Sequence, residues 1–296
     1  MNKQVTQDQH SYTEVNTLRN GQSIVNDVQS VRQSALLIPP RFDELKLETN
    51  NLPDDSRKMV GLFSSGSTGT PKCIWNYYDN LVLNAKISLD IFGVSADDRL
   101  LIIASPWHVA GLSWSLMAEQ AGAEYQITTP NIKESDEWID NIRAFQPDYL
   151  FTVPTVMRYL YESNDWHVPV LAYGGASIEP SDYDDLKQHC QTIFQAYGQT
   201  EAGGLIAAHK RPAERQPAKD EHLCCGYTPH QYDINCNGTP EKPEPIFLDS
   251  PTSVYDESYN TGDLGYKDSK GRLYITGRTD DHQGNCNMIT AVTSVA

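Results

Sequence analysis

A chain of 296 residues is long enough for one large domain or two modest ones and can bury a substantial core. Its 39 acidic against 23 basic side chains give a formal charge of −16, which repels a nucleic-acid backbone and an anionic membrane surface alike; any anionic ligand must be met by a local cluster of donors. No run is long and apolar enough for a membrane-spanning helix, the polar start Met1-Asn2-Lys3-Gln4 lacks the apolar centre of a signal peptide, and six scattered cysteines without a Cys-x-x-Cys pair read as reduced thiols, so a cytoplasmic location is expected.

Residues 1 to about 35, rich in Gln, Asn, Ser and Asp, are expected to form a loosely packed helix or to stay partly disordered. An apolar strand at 59–63 then changes abruptly into Ser64-Ser65-Gly66-Ser67-Thr68-Gly69-Thr70-Pro71-Lys72. Glycines let backbone N–H groups approach an anion, Ser and Thr hydroxyls add donors, and Lys72 adds a mobile positive charge, so a polyphosphate is the natural guest. A flexible Ser/Gly linker is the plainer alternative, but linkers rarely start from an apolar strand or finish in Pro-Lys before an amphipathic helix. A Walker-type loop fits poorly, because Pro71 removes an amide donor where that pattern needs Gly-Lys-Ser/Thr.

From residue 80 the alternation is regular: helix 80–92, strand 100–104, helix 112–119, strand 125–128, helix 134–145, strand 149–153, helix 154–162, strand 168–172, helix 180–190, strand 193–196. This order predicts an α/β fold, a mostly parallel sheet with flanking helices, with ligands gathering where strand ends meet loops. Residues 210–220 read as an exposed loop. Short β-prone pieces at 231–234, 246–248 and 273–275, separated by Gly, Pro, Asn and Asp, predict a small antiparallel β subdomain. The expected division is a shortened N-terminal segment at 1–58, an α/β core at 59–209, the small β subdomain at 210–276, and a hinge and tail at 277–296. The adjacent Cys224 and Cys225 suggest redox chemistry or metal binding only if matching ligands stand nearby.

Three more loops follow strand ends. Tyr173-Gly174-Gly175-Ala176-Ser177 would let a flat ring or an acyl chain lie against bare backbone. In Gln195-Ala196-Tyr197-Gly198-Gln199-Thr200-Glu201, Tyr197 offers a stacking ring, Thr200 a hydroxyl and Glu201 a carboxylate able to hold Mg²⁺. In Tyr259-Asn260-Thr261-Gly262-Asp263-Leu264-Gly265, followed by Gly277-Arg278-Thr279-Asp280-Asp281, Asp263 could accept both hydroxyls of a ribose, and Arg278 could bind ribose or phosphate. Singly, each has a plain explanation in turn or hairpin chemistry.

In this order the loops resemble the adenylate-forming superfamily of acyl- and aryl-CoA synthetases, luciferases and peptide-synthetase adenylation domains, over residues 59–281. The resemblance implies activation of a small carboxylic acid by ATP to an acyl-adenylate with loss of pyrophosphate, and then transfer to CoA or a carrier thiol. Carried over by position, Ser64 to Lys72 would hold the β- and γ-phosphates, Tyr197 and Gly198 the adenine with Gly174, Gly175 and Ala176, Thr200 and Glu201 the phosphate and Mg²⁺, and Asp263 and Arg278 the ribose. Such donors supply orientation and charge neutralisation, which is most of what phosphoryl chemistry needs. Ser105 to Ser113 looks like the family's loop beside the acyl pocket and makes His108 a candidate contact for the substrate carboxylate; its wording is similar to ligases that load aromatic acids such as succinylbenzoate onto CoA. His108, Thr200, Glu201 and Lys72 are the expected catalytic set.

The chain departs from the family after the hinge. Members carry a C-terminal lid whose lysine enters the site; here Gln283-Gly284 and Cys286-Asn287 replace the usual residues, and no lysine follows Asp281. A lid-less enzyme, with a separate lid or carrier protein as partner, is expected from this. A degenerate nucleotide-binding protein used for sensing or scaffolding is the alternative, and a truncation of a longer protein is a third reading.

Overall fold

The structure is a computed structural model that describes residues 3–4, 15–18, 24–30, 34–37, 57–64, 72–128, 135–161 and 165–279. Within the first stretches the chain makes strands β1 (Lys3–Gln4) and β2 (Val15–Leu18), a short helix α1 (Ile24–Ser30) and strand β3 (Ala35–Leu37). Strand β4 (Met59–Ser64) pairs parallel with β3, and β5 (Lys72–Tyr77) pairs antiparallel with β4, giving a five-stranded sheet in the order β1-β2-β3-β4-β5. The polar N-terminal stretch supplies strands beside the short helix α1, which corrects the expectation of a loose helix or disorder, because a neighbouring ladder rewards extended backbone that composition does not reveal. The expected helix at 80–92 is present and starts two residues earlier, at Tyr78; the residues between Pro71 and that helix, for which no strand was expected, form β5, with Ile74 and Trp75 buried against the sheet.

The central layer is built from α2 (Tyr78–Phe92), β6 (Arg99–Ile103), α3 (Val109–Ala121), β7 (Glu124–Thr128), α4 (Ser135–Phe145), β8 (Tyr149–Thr152), α5 (Pro154–Leu160), β9 (Val168–Gly174), α6 (Asp182–His189), β10 (Cys190–Gln199) and β11 (Gly204–Pro212). Its six strands run in the order β11-β10-β9-β8-β6-β7, all parallel except the antiparallel β10/β11 pair. Both faces are covered, and the period of two decides which residue goes where. Leu100 and Ile102 pack toward α2 and α3 with Phe151, Ala172 and Phe194. Leu101 and Ile103 pack toward α4, α5 and α6 with Leu150, Leu171 and Ile193. This doubly covered sheet is why near-continuous apolar runs were readable as strands.

A third sheet, wholly antiparallel, comprises β12 (Cys224–Gly226), β13 (Asp233–Asn235), β14 (Glu244–Asp249), β15 (Tyr259–Lys267) and β16 (Leu273–Arg278), in the order β12-β16-β15-β14-β13. Two motifs expected as loops lie mostly in strands: β10 continues through Gln199 along β11, and Tyr259 to Gly265 falls within β15. The expected exposed loop at 210–220 is mostly exposed, but its first residues continue β11 and a few of its side chains are anchored. Arg211 is buried with its guanidinium 3.6 Å over the Tyr183 ring, Ala213 is buried, and the Glu221 carboxylate takes the Ala218 N–H at 2.6 Å. Cys224 and Cys225 are buried, and burial pushes both thiols up, leaving them unreactive. Among the described residues no helix is long and apolar enough to cross a membrane.

Candidate functional site

The C-terminal end of β10 meets β15 and β16 at one carboxylate. The Tyr197 hydroxyl donates to Asp263 Oδ2 at 2.5 Å, Gln199 Nε2 donates to the same oxygen at 2.7 Å, and Arg278 Nη1 donates to Oδ1 at 3.0 Å. Gln199 has two amide hydrogens, and its second short bond, 2.8 Å, goes to the Thr261 carbonyl; the 3.4 Å approach to the Tyr197 hydroxyl is the weakest of the three. On its other side Gln199 Oε1 accepts from the Tyr259 hydroxyl at 3.1 Å. Asp263 is 6% exposed, and burial pushes its carboxyl upward more strongly than the three donors and Arg278 pull it down. The Tyr197 phenol is pushed up by burial and by the Asp263 charge, which keeps it a donor. Tyr197 and Gln199 are two apart on one strand, so both reach the same side. Sequence reading selected Tyr197, Asp263 and Arg278 but passed over Gln199, for which that period-two spacing is the available signal.

Beside this network lies a cavity of about 70 Å³, with Tyr197 and Gly198 on one side, Gly174 and Gly175 on another, and His108 at its edge. Phe92, Trp114 and Phe151 make an aromatic wall, Trp114 lying stacked on Phe151 with ring centres 4.6 Å apart and 4.5 Å from Phe92. Thus five predicted site residues from three separate loops share one space. Ala176, half-buried, follows them in the chain but does not line it. His108 is the N-cap of α3, and its Nδ1 accepts the Ala110 N–H at 3.2 Å, so in the neutral ring the proton sits on Nε2. Gly111 explains why this loop admits no side chain there: a Cβ would lie 2.2 Å from the Ser105 carbonyl oxygen. Gly198 is similar, since a Cβ would lie 2.4 Å from the Gly204 oxygen where β10 crosses β11.

Thr200 is buried and Glu201 half-buried in the turn between β10 and β11. That turn is fixed by a residue that sequence reading missed. Asn84, fully buried on α2, donates to the Leu205 carbonyl at 2.9 Å and to the Tyr232 hydroxyl at 2.9 Å, and accepts the Leu205 N–H at 3.0 Å. Thr252 Oγ1 holds the Ala202 carbonyl at 2.7 Å, and Val254 N–H holds that of Glu201 at 2.9 Å. The available signal was an amide at a core position of an amphipathic helix, between Leu81 and Ser88.

The root of the phosphate-type loop is a strand pair, Ser64 opposite Lys72, with Ser64 Oγ donating to the Lys72 carbonyl at 3.4 Å. Ser65, Gly66, Ser67, Thr68, Gly69 and Thr70 lie outside the described residues, as do Asp280 and Asp281. Strand β5 passes the Glu201 turn: Asn76 Oδ1 is 3.8 Å from where a Gly203 Cβ would stand. Lys72 is four residues back along β5, about 13 Å at strand rise. Lys72 is exposed, and no ion pair joins it to Glu201 among the described residues. For a metal, the described residues hold no group of three or more His, Cys, Asp or Glu able to bind one. Mg²⁺ arriving on phosphate oxygens needs only one or two carboxylates, and the half-buried Glu201 is a candidate for one of them.

Known proteins resemble the chain over most of its length. It is 26% identical to 2-succinylbenzoate–CoA ligase of Bacillus licheniformis over 277 residues, which cover 86% of this chain and 55% of that one. It is 23% identical to 3,4-dihydroxybenzoate–[aryl-carrier protein] ligase of Bacillus anthracis over 248 residues, 83% of this chain and 57% of that one. The chain thus spans little more than half of these ligases. Among solved structures, O-succinylbenzoate coenzyme A synthetase from Bacillus subtilis with the acyl-adenylate intermediate aligns with a TM-score of 0.71 at 18% identity, covering 90% of this chain and 68% of that one, a likeness of fold. The family model described as AMP-binding enzyme matches residues 3–234, well over half of the sequence, and the chain belongs to that family.

Proposed function

We propose that this chain activates a small aromatic carboxylic acid with ATP: the acid's carboxylate oxygen attacks the α-phosphorus, the bond to the bridging oxygen breaks, and pyrophosphate leaves as the acyl-adenylate forms. The observation that carries the reading is the Asp263 network, in which Tyr197, Gln199 and Arg278 converge on one buried carboxylate, and Tyr197 also lines the cavity edged by His108. Asp263 and Arg278 are assigned to the ribose, and Tyr197, Gly174, Gly175 and Ala176 to the adenine. His108, at the edge of the cavity, is assigned to the incoming carboxylate. Ser64, Lys72 and the residues between them are assigned to the β- and γ-phosphates, and Thr200 and Glu201 to phosphate and Mg²⁺, which when bound neutralises charge on the leaving pyrophosphate.

The size of the cavity supports an aryl substrate. At about 70 Å³ it has room for roughly five waters, the volume of one substituted ring rather than of a long acyl chain. Its Phe92–Trp114–Phe151 wall suits a flat partner. Transfer of the acyl group to CoA or to a carrier-protein thiol, with a separate lid protein if one is needed, is the second half of the proposal. The free cysteines, three of them buried, suit a reducing, cytoplasmic setting.

The test is ATP–pyrophosphate exchange with a panel of acids that includes 2-succinylbenzoate and 3,4-dihydroxybenzoate, the acids named for the two ligases above. Exchange with at least one aryl acid, lost in Asp263→Ala, is expected. Binding of ATP by calorimetry without exchange on any acid would overturn activation and leave the nucleotide-binding alternative standing.

A further inference from the structure

A second cavity, of about 390 Å³, opens elsewhere on the molecule. Ligand sites commonly enclose about 300–1,000 Å³, and this groove falls in that range. Its floor is apolar: Phe194 on β10, Ala208 on β11 and Ile91 near the end of α2. One wall is Tyr227, 54% exposed, whose backbone is fixed by a pair of 3.2 Å hydrogen bonds with Ala208. A large exposed ring on a rigid backbone, beside an apolar floor, can stack a flat ligand.

The rim is cationic in a chain of charge −16. Lys210 Nζ stands 5.4 Å from the centre of the Phe194 ring. Lys270 is carried on a tight turn organised by Asp268, whose Oδ1 takes the Lys270 and Arg272 N–H groups at 2.9 Å each. The carboxylates nearby do not cancel this charge. Asp268 is paired with Arg272 at 2.7 Å, and Glu221 is held by Arg215, by His209 at 3.0 Å and by the Ala218 N–H at 2.6 Å. Burial lowers the His209 pKa, so the imidazole adds no charge at neutral pH. Among the described residues neither Lys210 nor Lys270 has a carboxylate within ion-pair distance.

We propose that this groove is a second ligand site, distinct from the adenylation cavity, and that it takes a small organic anion bearing a flat ring. The ring lies on Phe194 against Tyr227, and the negative group lies between Lys210 and Lys270.

The test uses 8-anilinonaphthalene-1-sulfonate, a ring-bearing anion, titrated into the full chain and followed by its fluorescence. N-phenyl-1-naphthylamine, which lacks the sulfonate, serves as the neutral partner. Lys210→Glu with Lys270→Glu reverses two exposed charges and is expected to weaken the sulfonate about tenfold, leaving the neutral probe within about twofold. Tyr227→Ala, also at an exposed position, is expected to weaken both probes. Lys242→Glu, a change at another exposed lysine, and Asp263→Ala, in the adenylation network, are expected to leave sulfonate binding unchanged. Unaltered sulfonate affinity in the double charge reversal, in protein whose circular dichroism matches the parent, would overturn the proposal. So would loss of binding in Asp263→Ala alone, which would assign the probe to the adenylation cavity.

Discussion

Replacing Gln199 by Leu keeps roughly the length of the side chain and removes its hydrogen bonds. Two donated bonds are lost, 2.7 Å to the Asp263 carboxylate and 2.8 Å to the Thr261 carbonyl, together with the bond accepted from Tyr259. A hydrogen bond to a charged group contributes about 1.5–3 kcal/mol and each of the two neutral ones about 1 kcal/mol, so Gln199→Leu is expected to destabilise the fold by about 4 kcal/mol. The part due to the carboxylate is isolated by a double-mutant cycle with Asp263→Ala, and the coupling energy is expected near 2 kcal/mol. The assay is urea denaturation without nucleotide, read as the shift in midpoint at constant slope. Run as a pH series, it has a second readout. Burial lifts the Asp263 pKa above its unfolded value, so its contribution makes wild type lose stability as pH rises through that window, a slope that Asp263→Ala lacks. A coupling below about 0.5 kcal/mol would refute the claim that Gln199 holds Asp263.

Three further outcomes follow from other parts of the structure. Glu221, 3% exposed and with its carboxyl held down to about 2, stabilises the fold above the ordinary carboxylate range and loses that contribution as pH falls from about 4.5 to about 2; Glu221→Gln should cost about 3 kcal/mol at pH 7 and flatten the acid limb of the urea-midpoint profile. Gly111→Ala forces a Cβ to within 2.2 Å of the Ser105 oxygen, so backbone must move, and thermal melting should report a loss of about 3 kcal/mol. Asn76 is fully buried with neither amide atom partnered among the described residues, so Asn76→Leu should raise the urea midpoint, by about 1 kcal/mol of stability; a fall would show that the amide is satisfied.

What the sequence disclosed followed from how each segment is buried. Strands β6, β8 and β9 were legible because both faces are covered and the apolar runs are nearly continuous. The convergence of His108, Gly174 and Tyr197 was legible because all three lie at or near the C-terminal ends of strands in a largely parallel sheet. Strand β5 was not, since Lys72 to Tyr77 flows into the helical pattern of α2 and only the ladder with β4 shows that it is extended. Strand β15 was masked by Thr261-Gly262-Asp263, a turn-like triplet that pairing with β14 and β16 overrides. Gln199 and Asn84 gain their roles only from partners more than sixty residues away, which no local pattern reports.

Strand β16 follows the other four strands of the small sheet in the chain, yet in space it sits second from one edge, between β12 and β15. A ribosome therefore releases Cys224 to Gly226 well before their partner, Leu273 to Arg278, exists to receive them. At roughly 5–20 residues per second the edge waits several seconds, exposed to chaperones or to another nascent chain. Arg278 reaches Asp263 only with that last strand, so the Asp263 network is completed late in synthesis, and a pause in translation before residue 273 would be a direct threat to assembly.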